Sequence, residues 1–266
     1  MENRFGKLAE ISIHGYKSIR ALDSLRLDDM NILIGANGAG KSNFISIFEL
    51  LGNLAVEKLQ DFVTAHGTAA RLLHFGPKVT KEFRINLRTD VNTYAATLVP
   101  TAEGGLAFED ESVSFMGTSK TIATGQQFET NLRRTQNAGA IPPFIYGALE
   151  KWRAFHFHDT SAWAPLRQTA SLTNLDTLAA DGGNLPAFLY YLQEKWPDAL
   201  EEIVATVRRI APFFRGFVLR PDPLNEHQIR LRWRHAAVDD PLDVSDLSDG
   251  TLRFIALVTL LLQPEP

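Results

Sequence analysis

The sequence predicts an α/β fold, and three observations predict it. The short run Asn31-Ile32-Leu33-Ile34 is continuously apolar after its first residue, as a strand buried on both faces would be. It opens through a glycine-rich stretch, Gly35 to Ser42, into Phe44, Ile47, Phe48, Leu51, Leu54 and Ala55, which follow helical spacing. Further on, Phe83-Ile85-Leu87, Tyr94-Ala96-Leu98 and Val113-Phe115 alternate with period two, punctuated by Gly104-Gly105 and Gly117, which predicts an antiparallel meander over 82–115. The last third then reads as mostly helical.

Taken in order, Leu8 to Ile13 alternates as a half-buried strand, and Leu22 to Leu27 repeats the pattern. The meander follows the helix after the glycine-rich loop. From Gln126 to Gly147 the chain is polar and then contains Gly and Pro, in keeping with helix or a mobile stretch. Trp152 to His158 reads as another strand. Asn184 is placed to cap a helix with Pro186 in its first turn, and Pro197-Asp198 to start a second, together covering 185–210. Strands are expected near Phe217 to Arg220 and Gln228 to His235, and an Asp-rich loop leads into a helix over 252–262.

Composition narrows the function classes. The 266 residues carry 27 Lys+Arg against 31 Asp+Glu, a net charge of −4, with 45% hydrophobic residues. This excludes a highly basic nucleic-acid-coating protein, though not a local basic patch. With no cysteine, disulfides, thiolate zinc sites, iron–sulfur clusters and cysteine nucleophiles are all excluded. The chain start is not followed by an apolar signal core, and the apolar stretch near Phe254 to Leu262 is about half of the roughly 20 residues a bilayer span needs. A cytoplasmic protein is expected.

Gly35-Ala36-Asn37-Gly38-Ala39-Gly40-Lys41-Ser42 satisfies the G-x-x-x-x-G-K-[ST] phosphate-loop pattern at every fixed position. Its glycines let the backbone curl around phosphate oxygens with several N–H groups pointing inward, and the following helix adds its positive end. Lys41 supplies charge for the β- and γ-phosphates, and the Ser42 hydroxyl is the expected Mg²⁺ ligand. ATP and Mg²⁺ are therefore the expected cofactors. Asp246-Leu247-Ser248-Asp249-Gly250-Thr251 admits two readings. It is either a plain helix cap by Ser248 or Asp249, or a loop that presents a hydroxyl and N–H groups to an anion.

Together, these motifs resemble the RecF/SMC/OLD-like branch of ABC-type ATPases, in particular bacterial predicted ATPases related to RecF. The resemblance rests on Ile13-His14-Gly15-Tyr16-Lys17-Ser18-Ile19, on Ile34 to Asn43, on Phe155 to Ser161, on Asp181 to Leu185 and on Leu247 to Phe254. It implies an ABC-type head, a P-loop NTPase with an antiparallel meander and a helical lobe carrying the signature motif, LSGGQ in its usual form. The expected division is 1–158 for the nucleotide-binding lobe and 159–266 for the signature lobe. The resemblance also implies a homodimer in which Ser248, Asp249 and Gly250 of one subunit contact nucleotide held by residues 35–43 of the other, with Lys17 and Ser18 near the nucleotide. Asp249 and Thr251 depart from the Gly and Gln of transporter subunits, which favours the RecF-like branch.

Hydrolysis in that superfamily also needs a buried strand ending in Asp-Glu, the Walker B element, after the signature helix. Asp28-Asp29 and Asp239-Asp240 do not follow such a strand, and after the helix come Gln263-Pro264-Glu265-Pro266. The expectation is an ATPase lacking its Walker B part, whose catalytic carboxylate is not among these residues and which alone binds ATP poorly and does not turn it over.

Three weaker features complete the reading. His156-x-His158-Asp159 is either half of a metal site or the polar face of a strand. Gln168, His158 and Asp159 are candidates for the Mg²⁺-sensing glutamine that the resemblance implies. Arg230, Arg232 and Arg234 alternate with Ile229, Leu231 and Trp233, placing three guanidinium groups on one strand face that either docks DNA or is ion-paired. Phe213, Phe214 and Phe217 read as core. The function expected is an ATP-binding engine coupled to a DNA-related or defence effector. The alternatives are a non-hydrolysing regulatory module, a transporter ATPase subunit and a phosphoryl-transferring kinase.

Overall fold

Alternation becomes a six-stranded, wholly antiparallel sheet in the first of two compact units, Met1–Ala154 and Phe155–Pro266. The computed structural model describes residues 7–134, 145–147, 149, 152–173 and 176–264. The strands are β1 (Leu8–Tyr16), β2 (Ile19–Arg26), β3 (Phe83–Thr89), β4 (Asn92–Pro100), β5 (Leu106–Phe115) and β6 (Thr118–Gln127), in spatial order β2-β1-β3-β4-β5-β6. Their register brings Ile13 opposite Ile85, Ile11 opposite Leu87 and Leu87 opposite Tyr94, so alternate side chains stack on one inner face. Against the core lie α1 (Lys41–Ala55), α2 (Leu59–Ala65) and the short α3 (Ala69–Leu72). In α1, Ile47, Leu50, Leu51 and Leu54 are wholly buried, and burying each such side chain is worth about 1.5–3 kcal/mol. The Glu129 carboxylate accepts from the Leu59 and Gln60 amides at 3.0 and 3.2 Å, satisfying the start of α2.

The second unit contains α4 (Leu185–Lys195), α5 (Pro197–Ile210) and α6 (Asp249–Leu262). Two three-stranded sheets accompany them. One has the order β7-β10-β9, from β7 (Ala170–Ser171), β9 (Pro221–Asp222) and β10 (Asn225–Ile229). The other has the order β12-β11-β8, from β8 (Phe214–Val218), β11 (Arg232–His235) and β12 (Leu242–Asp243). Its core gathers Leu185, Leu189, Ile203, Val207, Phe214, Trp233, Leu252 and Ile255. Gly182 (φ +72°) permits one close approach, since a Cβ there would stand 2.4 Å from Leu166 Cδ2. Among the described residues, no helix is long and apolar enough to cross a membrane.

The structure departs from the sequence reading in several places. Residues 31–34 form no strand, and Ile32 and Ile34 are 74% and 91% exposed. A strand apolar on both faces needs a neighbour on either side to pair its backbone and cover its side chains. None of the described strands pairs with this one. Trp152–His158 is likewise irregular rather than a strand. The expected strand 228–235 breaks at Arg230-Leu231, and its two ends belong to different sheets. Finally, the meander runs on through β6, where only Ile122 and Ala123 are buried. Residues 135–144 of the helix-or-mobile stretch expected over 126–147 lie outside the described residues.

Asn184 precedes α4 as expected but does not cap it with its side chain. Its amide instead accepts from the Ala179 N–H and donates to the Thr177 carbonyl, at 2.7 and 2.8 Å, closing the loop that leads in.

Candidate functional site

The glycine-rich loop is exposed from Gly35 to Ala39, and the half-buried Gly40 leads directly into α1. Gly38 and Gly40 are left-handed, with φ +83° and +92°, a conformation that costs other L-residues about 1–2 kcal/mol. A Cβ on Gly40 would also stand 2.8 Å from Ser18 Oγ. No side chain caps α1, so its first-turn N–H groups are left to an outside acceptor, and the helix dipole adds to their pull on an anion. Lys41 Nζ donates to the Gly35 and Ala36 carbonyls, each at 2.7 Å, folding the amine back over the loop. Ser42 is exposed on the first turn of α1. Asn43 Nδ2 donates to Ser18 Oγ at 2.7 Å, which braces the start of α1 against the turn between β1 and β2.

Lys17 occupies that turn with φ +46°. Its amine donates to Ser46 Oγ at 3.0 Å, one helical turn deeper than Ser42, and the Tyr16 hydroxyl shares the same oxygen at 3.0 Å. Burial lowers the affinity of the Lys17 amine for its proton, since desolvation penalises the charged form. Burial pushes the Tyr16 phenol well above its ordinary value, so it stays neutral. The Lys17 carbonyl accepts a hydrogen bond from His74 Nδ1 at 2.7 Å.

The second group of candidates lies at the start of α6. Ser248 accepts from the Thr251 N–H at 3.2 Å and shares a hydrogen bond with the Thr251 hydroxyl at 2.8 Å, as an N-cap does. Ser248, Asp249 and Gly250 are nevertheless exposed, and a Cβ on Gly250 would meet nothing within 4 Å. The Asp249 carboxylate accepts from Arg167 Nη2 at 2.9 Å, and that bond holds the carboxyl below its ordinary value. Arg167 is buried, and sequence reasoning missed it. No signal marks it in the sequence, because most of its partners are backbone carbonyls far along the chain.

The remaining candidates do not converge. The His156 and His158 rings stand 6.1 Å apart and edge-on. Among the described residues no group of three or more His, Asp or Glu is set to hold a metal ion. Asp159 instead closes a local turn, its carboxylate accepting from the Ser161 N–H at 3.0 Å. Gln168 Nε2 donates to the Ala162 carbonyl at 3.2 Å. Arg230 is not free for a phosphate backbone: its Nη2 and Nε both donate to the Asp243 carboxylate, at 2.7 and 2.5 Å. That pairing drives the Asp243 carboxyl far below its ordinary range. Arg232 and Arg234 stay exposed on β11.

Residues 30–266 match the family model described as "AAA domain, putative AbiEii toxin, Type IV TA system". No curated protein matches the chain.

Proposed function

The chain belongs to this AAA-domain family, a P-loop ATPase-like family, and on that premise we propose that it binds ATP with Mg²⁺ at residues 35–43. The observation that carries this reading is the loop itself. Two left-handed glycines, an uncapped helix start and the Lys41 amine lie together at one loop, and these residues fit a triphosphate. The first-turn N–H groups of α1 would bind phosphate oxygens, and Lys41 would exchange its two carbonyl partners for phosphate. The Ser42 hydroxyl would hold the metal, which when bound offsets phosphate charge. Ser18, through Asn43 and its contact at Gly40, would keep the loop in register with the helix.

In its finer form the proposal is a RecF/SMC/OLD-like head that dimerises around ATP, with Ser248 and Gly250 of one subunit completing the site of the other. ATP would favour the closed dimer through its differential affinity for that state. The toxin–antitoxin wording of the family description supports a defence effector over a transport role. A DNA contact, for a DNA-related effector, would fall to Arg232 and Arg234. The second reading is a nucleotide-dependent regulatory module, in which ATP switches partner contacts without turnover.

The test is titration of the 266-residue chain with fluorescent ATP in Mg²⁺. Lys41→Ala is expected to weaken binding at least about tenfold, the scale of one lost charge-assisted hydrogen bond, with no steady phosphate release from either protein. Equal affinity in the variant would overturn the site. Turnover that disappears in the variant would overturn the non-hydrolysing reading.

A further inference from the structure

Among the described residues of the second unit, Arg167 is the most thoroughly enclosed charged side chain, only 9% exposed. A buried guanidinium is tolerated where its N–H donors find acceptors, and this one does. Nε donates to the Thr160 carbonyl at 2.9 Å, and Nη1 to the Val244 carbonyl at 2.7 Å. Nη2 donates to the Leu247 carbonyl at 3.1 Å and to Asp249 Oδ1 at 2.9 Å. Three of these four acceptors lie in the segment 244–249 that leads into α6. Arg253, from within α6, reaches the other way: its Nη2 donates to the His158 carbonyl at 2.6 Å and to Thr160 Oγ1 at 3.1 Å. The loop 158–167 and the start of α6 are thus cross-braced by two arginines, both anchored at Thr160. The next residue beyond this grip is Gly250, which is open on its exposed side.

We propose that Arg167 is a positioning residue for the signature loop, with Asp249 as its counter-ion, holding Leu247 to Gly250 so that Ser248 and Gly250 face a nucleotide bound by a second copy of the chain. The inference rests on the signature reading given above and assigns Asp249 a different task from its neighbours. Its carboxylate, which would repel a phosphate at short range, faces Arg167 instead. The acidic residue in the signature is then explained by the arginine beneath it. The carbonyls of Val244 and Leu247 set the path of the loop, and the charge pair sets the orientation of the first turn of α6.

The full 266-residue chain tests this in three variants, followed by sedimentation with and without ATP and Mg²⁺, by hydrogen exchange, by melting and by ATP titration. Asp249→Ala leaves Arg167 its three carbonyl acceptors, so the fold survives. Exchange over 247–251 is expected to quicken, and ATP-dependent self-association to weaken about tenfold, the effect of losing one charge-assisted contact. Melting temperature and ATP affinity of the single chain are expected to hold. Asp249→Asn keeps an acceptor oxygen and is expected to fall between. Ser248→Arg blocks the signature face and is expected to abolish association. Unchanged association in Asp249→Ala, beside its loss in Ser248→Arg, would overturn the role of Arg167 and leave the signature reading standing. Association untouched by Ser248→Arg, or absent from the natural chain, would overturn that reading and the inference with it. A loss in Asp249→Ala matched by equal losses of melting temperature and ATP affinity would also overturn the inference, because general loosening would account for it.

Discussion

Gly40 and Asp243 show how much single residues decide. At Gly40, a left-handed φ and the nearby Ser18 Oγ both exclude a side chain. Gly40→Ala is expected to cost about 1–2 kcal/mol from the backbone conformation alone, read from denaturant unfolding, and to weaken ATP binding as the loop shifts. Asp243 is held ionised, first by its hydrogen bonds from Arg230 and then by the Ser245 N–H and hydroxyl. Its folded-state proton affinity is depressed, so the pair stabilises the fold above the unfolded carboxylate value of about 4 and loses that contribution as pH falls further. Asp243→Asn is therefore expected to lower the melting temperature at neutral pH, with the gap from the natural protein closing on acidification below about pH 4. A gap independent of pH would show that the charge is not what Arg230 needs.

At the scale of elements, α1 and residues 31–34 make an instructive pair, because both read as buried in the sequence. Leu50 in α1 is wholly buried, whereas Ile34 is almost wholly exposed. Leu50→Ala is expected to cost about 2–5 kcal/mol, and Ile34→Asn less than about 0.5 kcal/mol, the ordinary range for surface changes. Unfolding of the two variants side by side checks both figures, and a large loss for Ile34→Asn would mean that the run is packed after all. The strands β3 and β4 were legible because each buries every second residue in the core that also holds α1 and α2. β6 was not, because an edge strand with few buried side chains is held mainly by backbone bonds to β5, which leave little mark on residue type.

For the whole molecule, net charge says little about partners, because the basic residues of the second unit are spent unequally. Arg167 and Arg230 serve internal carboxylates, while Arg232 and Arg234 face solvent. If the effector is DNA-related, reversing Arg232 and Arg234 to Glu is expected to abolish duplex binding and its salt dependence, with little change in stability. Reversing Arg230 is expected to destabilise the fold instead, by leaving Asp243 without its partner. Filter binding over a range of salt concentrations, with melting as control, separates the two effects. Binding that survives the double reversal would move the interface elsewhere.

The sequence by itself determined the phosphate loop and most of the elements around it. A glycine, lysine and serine pattern is local chemistry, and period-two or helical burial repeats within a few residues. Only the tertiary structure decided which side chains are free to act. It turned the arginine row of 230–234 into one structural ion pair and two exposed cations, and it left Ile32 to Ile34 without a paired strand. It also found Arg167, whose acceptors at Val244, Leu247 and Asp249 lie far along the chain. The physical reason is the same in each case. Hydrogen-bond and charge partners distant in sequence are chosen by packing, and backbone carbonyls, which every residue carries, leave no trace in residue type.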